Sequence, residues 1–195
     1  MRDYLIDEMP PAMDKRAMTN VSRRGFVTAL AAAGVGIVVP RWVSAGSAPA
    51  RSLAFAHLHT GERLAVEYFA GGRYLPDALR EVDRLLRDFR TGEEHPIDPG
   101  LLDLLHRLTG LTRGRRPFEV ISGYRSPATN GMLRRRSEGV AAGSLHMQGQ
   151  AIDIRLADVP LAKLRNAALE ARRGGVGYYP ASNFVHVDTG RVRRW

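Results

Sequence analysis

Ser144-Leu145-His146-Met147-Gln148-Gly149-Gln150-Ala151-Ile152-Asp153-Ile154 sets a histidine, a glycine and an aspartate around the start of an alternating run. Ala151 to Leu156 reads as a strand, because apolar side chains recur at every second position. His146 lies on the approach to that strand and Asp153 within it, and Gly149 lets the chain turn between them. A second segment, Asn183-Phe184-Val185-His186-Val187-Asp188, alternates in the same way. His186 and Asp188, two apart on a strand, share a face. One strand thus offers a metal ligand and a carboxylate to the same pocket.

Histidine nitrogen and carboxylate oxygen suit a zinc ion without any thiolate. A hydrolytic zinc site has three protein ligands and one open water position. His146, Asp153 and His186 are the candidates for those ligands. The chain has no cysteine. Disulfides, thiolate metal sites and a cysteine nucleophile are therefore excluded. Spacing alone leaves open whether the three form a site or are unrelated surface residues.

Working outward, Leu53 to His59 and Arg63 to Phe69 read as strands around the hairpin signal Thr60-Gly61-Glu62. Pro76 to Phe89 has Leu79, Val82, Leu85, Leu86 and Phe89 at helical spacing. Asp98 or Pro99 opens a second helix with Leu101, Leu102, Leu104, Leu105 and Leu108 as its apolar set, and Gly110 and Gly114 break the pattern. Phe118 to Ser122 is a short strand, and Pro127 begins a helix running to about Ser137. Pro160 to Arg172 is a helix with proline in its first turn. Val176 to Tyr179 and Phe184 to Asp188 complete the strands. This order predicts an α+β domain: a small antiparallel sheet carrying the site, packed against several helices.

The 195-residue chain has a formal net charge of +9. A basic surface attracts polyanions, whether nucleic acid or a carboxylate-rich wall polymer. No nucleic-acid motif or aromatic-basic stacking platform is recognisable, so nucleic acid is not an expected partner. Ser22-Arg23-Arg24-Gly25-Phe26-Val27 precedes an apolar run from Ala29 to Val39 and small residues from Ser44 to Ala50. That order is a secretory signal, and its paired arginines resemble the bacterial twin-arginine export signal. The apolar run falls short of the roughly 20 residues that span a bilayer. A buried hydrophobic helix would leave the small-residue zone unexplained. The expectation is a signal segment over 1–45, cut after Ala45, and a folded domain over 46–195. The twin-arginine machinery is then a partner, the location periplasmic, and no stable transmembrane segment remains after cleavage.

Ser122-Gly123-Tyr124-Arg125-Ser126-Pro127, Ser144-x-His146-x-x-Gly149-x-Ala151-x-Asp153 and Val185-His186-Val187-Asp188 together resemble the zinc D-alanyl-D-alanine peptidase superfamily. Gly174-Gly175-Val176-Gly177-Tyr178-Tyr179-Pro180, Asn183 to Gly190 and Trp195 are similar, more closely, to its YcbK-like murein endopeptidase group. The resemblance implies a zinc-dependent peptidase cutting peptide cross-links of peptidoglycan stems, with His146, Asp153 and His186 as the Zn2+ ligands. A D-Ala-D-Ala-type carboxypeptidase and a non-catalytic peptidoglycan-binding module of the same fold are the alternatives. Arg125 matches an arginine that steadies the substrate or the developing oxyanion, through charge-assisted hydrogen bonds.

Some relatives place a proton-handling glutamate three residues before the last zinc histidine, and others a histidine two residues before it. Asn183 and Phe184 occupy those positions here. Asp188 remains, with two readings: a general base, or a carboxylate that orients His186. Ser144, Tyr178 and Tyr179 join Arg125 as candidates for lining the substrate groove. One of two adjacent strand tyrosines commonly faces the core instead. His57 and His59 read as structural or surface residues, since no carboxylate or other ligand accompanies them. His95 and His106 belong to no motif, and Arg134-Arg135-Arg136 reads as a solvated helix face.

Overall fold

A computed structural model describes residues 48–136 and 140–195, within the compact unit Ser44–Trp195. The expected export signal and the cleavage point after Ala45 lie outside the described residues. The strands are β1 (Arg51–His57), β2 (Arg63–Ala70), β3 (Arg73–Tyr74), β4 (Phe118–Ser122), β5 (Ala151–Leu156), β6 (Gly175–Tyr179), β7 (Phe184–Asp188) and β8 (Arg193–Arg194). The helices are α1 (Pro76–Leu85), α2 (Pro99–Thr112), α3 (Pro127–Arg136) and α4 (Leu161–Ala171), with a 3-10 turn at Leu145–Gln148. No described helix is long and apolar enough to cross a membrane.

The fold is α+β, as the sequence predicts, but the sheet is larger than expected. Eight strands run in the order β3-β2-β1-β4-β5-β7-β6-β8. β1 pairs with β4, and β6 with β8, in parallel, while the other neighbours are antiparallel. The connection from β1 to β4 passes through β2, β3, α1 and α2, ample length for a parallel crossover. Two-residue strands such as β3 and β8 carry no readable period in the sequence.

Alternation then divides the sheet into two faces. Ile152, Ile154 and Leu156 of β5, and Val185 and Val187 of β7, are buried in the core. Leu101, Leu105 and Leu108 of α2, and Leu164 and Ala168 of α4, belong to the same core, with both helices packed against the sheet. The intervening residues Asp153, His186 and Asp188 therefore point to the opposite face. They are buried there as well, beneath the segment that carries the 3-10 turn.

α1 ends earlier than its apolar spacing suggests, at Leu85 rather than Phe89. The Leu86 carbonyl accepts from the Tyr124 backbone N–H at 2.8 Å, so it cannot continue the helix. Phe89 instead stacks on His59, with ring centroids 4.1 Å apart. The next anchor is Asp88, only 1% exposed. Its carboxylate accepts from Ser126 N–H at 2.9 Å, Ser126 Oγ at 2.6 Å and Arg90 N–H at 3.0 Å. Ser126 Oγ in turn accepts from Thr129 N–H, satisfying a donor at the start of α3. Asp88 thus ties the end of α1 to the Gly123–Ser126 segment.

Burial opposes ionisation of Asp88, but the bonds from Ser126, Thr129 and Arg90 outweigh it and lower the carboxyl to about 2. The folded value lies below the unfolded one of roughly 3.9, so the stabilisation is full above about pH 4 and fades as pH falls through about 2. Asp88→Asn should lower stability at pH 7 by about 2 kcal/mol. Urea unfolding across pH 7 to 2 should show the gap between variant and wild type closing in that acid window.

Candidate metal centre

The register of one ladder builds the site. Asp153 of β5 lies directly opposite His186 of β7, and Ala151 lies opposite Asp188. His146 arrives from the 3-10 turn just before β5. That turn ends at Gly149, whose φ of +65° suits glycine and whose absent side chain leaves room for the Pro96 carbonyl, 2.2 Å from where a Cβ would sit. The Gly149 carbonyl accepts from Asp98 N–H at 3.0 Å. Asp98 caps α2 through Gly100 N–H at 2.8 Å and accepts from Thr189 Oγ1 at 2.6 Å. The turn bearing His146 and the loop after β7 are thereby fastened to the same helix end.

His146 Nε2 lies 3.2 Å from His186 Nδ1 and 3.3 Å from an Asp153 oxygen, and His186 Nδ1 is 2.9 Å from that oxygen. The tautomers follow from the outer bonds. His146 Nδ1 is 2.7 Å from the Gly123 carbonyl, which only accepts, so that nitrogen carries its proton. His186 Nε2 is 3.1 Å from Asp188, and donates there. Both remaining nitrogens then direct lone pairs toward a carboxylate oxygen. Three acceptors converging in a buried site repel one another unless a cation joins them. Tetrahedral zinc with bonds of about 2.0 Å sets its ligand atoms about 3.3 Å apart, close to the spacing found. These residues fit a zinc ion, and they form the only such cluster of three among the described residues.

The electrostatics agree. Burial would raise the Asp153 carboxyl, but His146 and His186 hold it well below the usual carboxylate range. Burial opposes charging of His186, yet its bonds to Asp153 and Asp188 push it up to about 9, so without a metal a proton is drawn to the same place. The site forms the floor of an open cleft of about 500 Å³, whose walls include Arg125, Ser144, Tyr179, Phe184, Arg193 and Trp195.

A family model described as peptidoglycan L,D-endopeptidase MepK, of the M15_2 peptidases, matches residues 45–195. The chain belongs to this family. It is 47% identical over 156 residues to the peptidoglycan L,D-endopeptidase MepK of Escherichia coli K12, covering 80% of this chain and 86% of that protein. The Shigella flexneri protein of the same name gives the same figures. A probable peptidoglycan L,D-endopeptidase MepK of Haemophilus influenzae is 49% identical over 146 residues, covering 74% of this chain and 78% of that protein.

Within this M15_2 peptidase, the remaining candidates divide by position. Arg125 lines the cleft with its guanidinium 3.6 Å from Asp153, and its buried Nε–H has no partner among the described residues. Burial depresses its affinity for the proton, and Asp153 offsets this only in part. Ser144 lies at the cleft wall and opens the 3-10 turn without a side-chain cap. Tyr179 lines the cleft and stacks on Phe184 with centroids 4.6 Å apart. Tyr178 does not line it. It alternates to the other face, where Arg165 of α4 sits 4.7 Å from its ring centre. Placing both tyrosines in the groove is corrected by the strand period itself.

Asp188 is fully buried. Besides His186 it accepts from Gly175 N–H at 2.8 Å, Gly190 N–H at 2.9 Å, and both Arg193 terminal nitrogens at 3.1 and 2.7 Å. Burial would raise its carboxyl, but His186, Gly175 and Arg193 hold it low. It faces Nε2, on the far side of the imidazole from the three convergent atoms. This geometry disfavours the general-base reading and favours the orienting one. Arg193 has no signal in the sequence, because β8 is too short to show a pattern.

Asn183, where some relatives carry glutamate, has φ +54° in the turn between β6 and β7, a conformation asparagine tolerates. His57 is buried and neutral, lowered to about 4 chiefly by burial, with Nδ1 accepting from His59 and Thr60 N–H. His95 stacks on Tyr124, and Arg134 to Arg136 are exposed.

An orienting carboxylate predicts a specific phenotype. Asp188→Asn should weaken zinc binding about 10–100-fold while the loaded enzyme keeps most of its turnover. Competition against a chromophoric chelator measures the first and muropeptide cleavage at saturating zinc the second. A base would show the opposite split.

Proposed function

We propose that the chain is a zinc-dependent peptidoglycan endopeptidase acting outside the cytoplasm, with 46–195 as the catalytic domain and 1–45 as a twin-arginine signal. The supporting observation is the convergence of three lone-pair atoms on the floor of an open cleft, in a chain of the peptidoglycan L,D-endopeptidase family. His146, Asp153 and His186 hold the metal. Bound zinc supplies an acidified water and polarises a carbonyl oxygen. Arg125 brings a guanidinium that Asp153 compensates only in part to the same wall, with its Nε–H unpartnered among the described residues, where it offers charge-assisted bonds to the oxyanion or to a substrate carboxylate. Asp188, held by Arg193, fixes the His186 ring so that Nδ1 faces inward. Ser144 and Tyr179 contribute polar groups to a peptide bound along the cleft.

Among the described residues lining the cleft, Asp153 has the only side-chain carboxylate. That observation carries a second reading, a wall-peptide-binding module that retains the fold without proton transfer.

Purified muropeptide dimers separate the two. Zinc-loaded protein should cleave L,D-linked peptide, lose activity with a chelator and regain it on adding zinc. Arg125→Ala should cut kcat/KM by about 10²–10³-fold. Binding without any product at saturating zinc would establish the module instead. Replacing Arg23 and Arg24 by lysine should leave the protein in the cytoplasm on cell fractionation. Unchanged periplasmic recovery would remove the twin-arginine assignment.

A further inference from the structure

Trp195 is 51% exposed, yet it is held from several directions. Its backbone N–H donates to the Val176 carbonyl at 3.2 Å, and its carbonyl accepts from Tyr178 N–H at 3.1 Å. Its indole Nε1–H donates to Tyr179 Oη at 2.7 Å. Gly177, opposite His186 in the ladder, leaves the space the indole fills: a Cβ there would lie 2.8 Å from the ring. The Arg193 guanidinium sits 4.9 Å from the ring centre. The ring centre itself is 5.2 Å from that of His186.

This indole is fixed in orientation yet half exposed, and it lines the cleft. Its single donor is already satisfied, so what it offers a ligand is apolar, polarisable area. An extended chain advances about 3.3–3.6 Å per residue, so a surface this near a metal ligand meets the residue next to the cleaved bond rather than a distant sugar. We propose that Trp195 is a substrate-positioning platform, its indole stacking on the peptide plane and aliphatic side chain flanking the scissile bond on the His186 side. This rests on the peptidase reading above. The pre-ordered ring costs little further entropy when substrate arrives.

The test uses the zinc-loaded full chain and a synthetic, sugar-free, cross-linked stem-peptide dimer. Trp195→Ala should raise KM about tenfold while kcat falls less than about threefold, with zinc content unchanged. Trp195→Phe should recover most of the loss. Gly177→Ala, which keeps the indole but crowds both it and the Tyr179 ring, should raise KM in the same direction. An unchanged KM in Trp195→Ala, a parallel loss of zinc and kcat, or a defect seen only with glycan-bearing substrate would each overturn the proposal. If the wild type binds the dimer without cutting it, the peptidase reading falls, and the tenfold difference measured as Kd by calorimetry still supports the platform. Equal Kd values, or no binding by the wild type, would refute it.

Discussion

Asp153 and His186 face one another across a single antiparallel ladder, and the rest of the site depends on that register. Strand side chains alternate with a period of two, so a one-residue slip of β7 against β5 would turn His186 into the core and bring a valine to the centre. Val185 and Val187 oppose the slip, because both would leave the core and their partners Ile154 and Ile152 with it. Hydrophobic burial on one face thus holds polar ligands together on the other. The same strand carries Asp188 behind His186, and its ladder with β6 places Gly177 beside it.

Three acceptor atoms so arranged would be unfavourable in a buried site without a positive charge. The protein meets this by fixing every outer proton: the Gly123 carbonyl holds that of His146, and Asp188 that of His186. Arg193 then neutralises Asp188. The chain of contacts reaches Gly123 and Arg125 through Asp88 and Ser126, so the end of α1, far from the ligands in sequence, also positions the cleft wall.

Much of this was legible before the fold. The alternation in Ala151–Leu156 and Phe184–Asp188 gave both site strands with their observed bounds, and it already implied that His186 and Asp188 share a face. The closeness of His146 to both was not legible from spacing, because it depends on a 3-10 turn pinned to Pro96 and Asp98, a contact between distant segments. The end of α1 is not legible in the sequence, because apolar spacing persists to Phe89 while a tertiary hydrogen bond to Leu86 decides where the helix stops. The eight-stranded sheet escaped notice since parallel pairing of β1 with β4 leaves no local signal. The position of Arg193 likewise depends on a two-residue strand, and Trp195 follows directly after it. Tyr178 shows the converse: period two alone sends it away from Tyr179.

The central claim is that two imidazole nitrogens and one carboxylate oxygen hold a single zinc ion in this chain. Anomalous diffraction at the zinc edge from zinc-soaked crystals tests it most directly. One strong peak is expected within bonding distance, about 2.0–2.2 Å, of His146 Nε2, His186 Nδ1 and an Asp153 oxygen. No peak between these atoms at saturating zinc, or a peak bound by His57 and His59 instead, would contradict it.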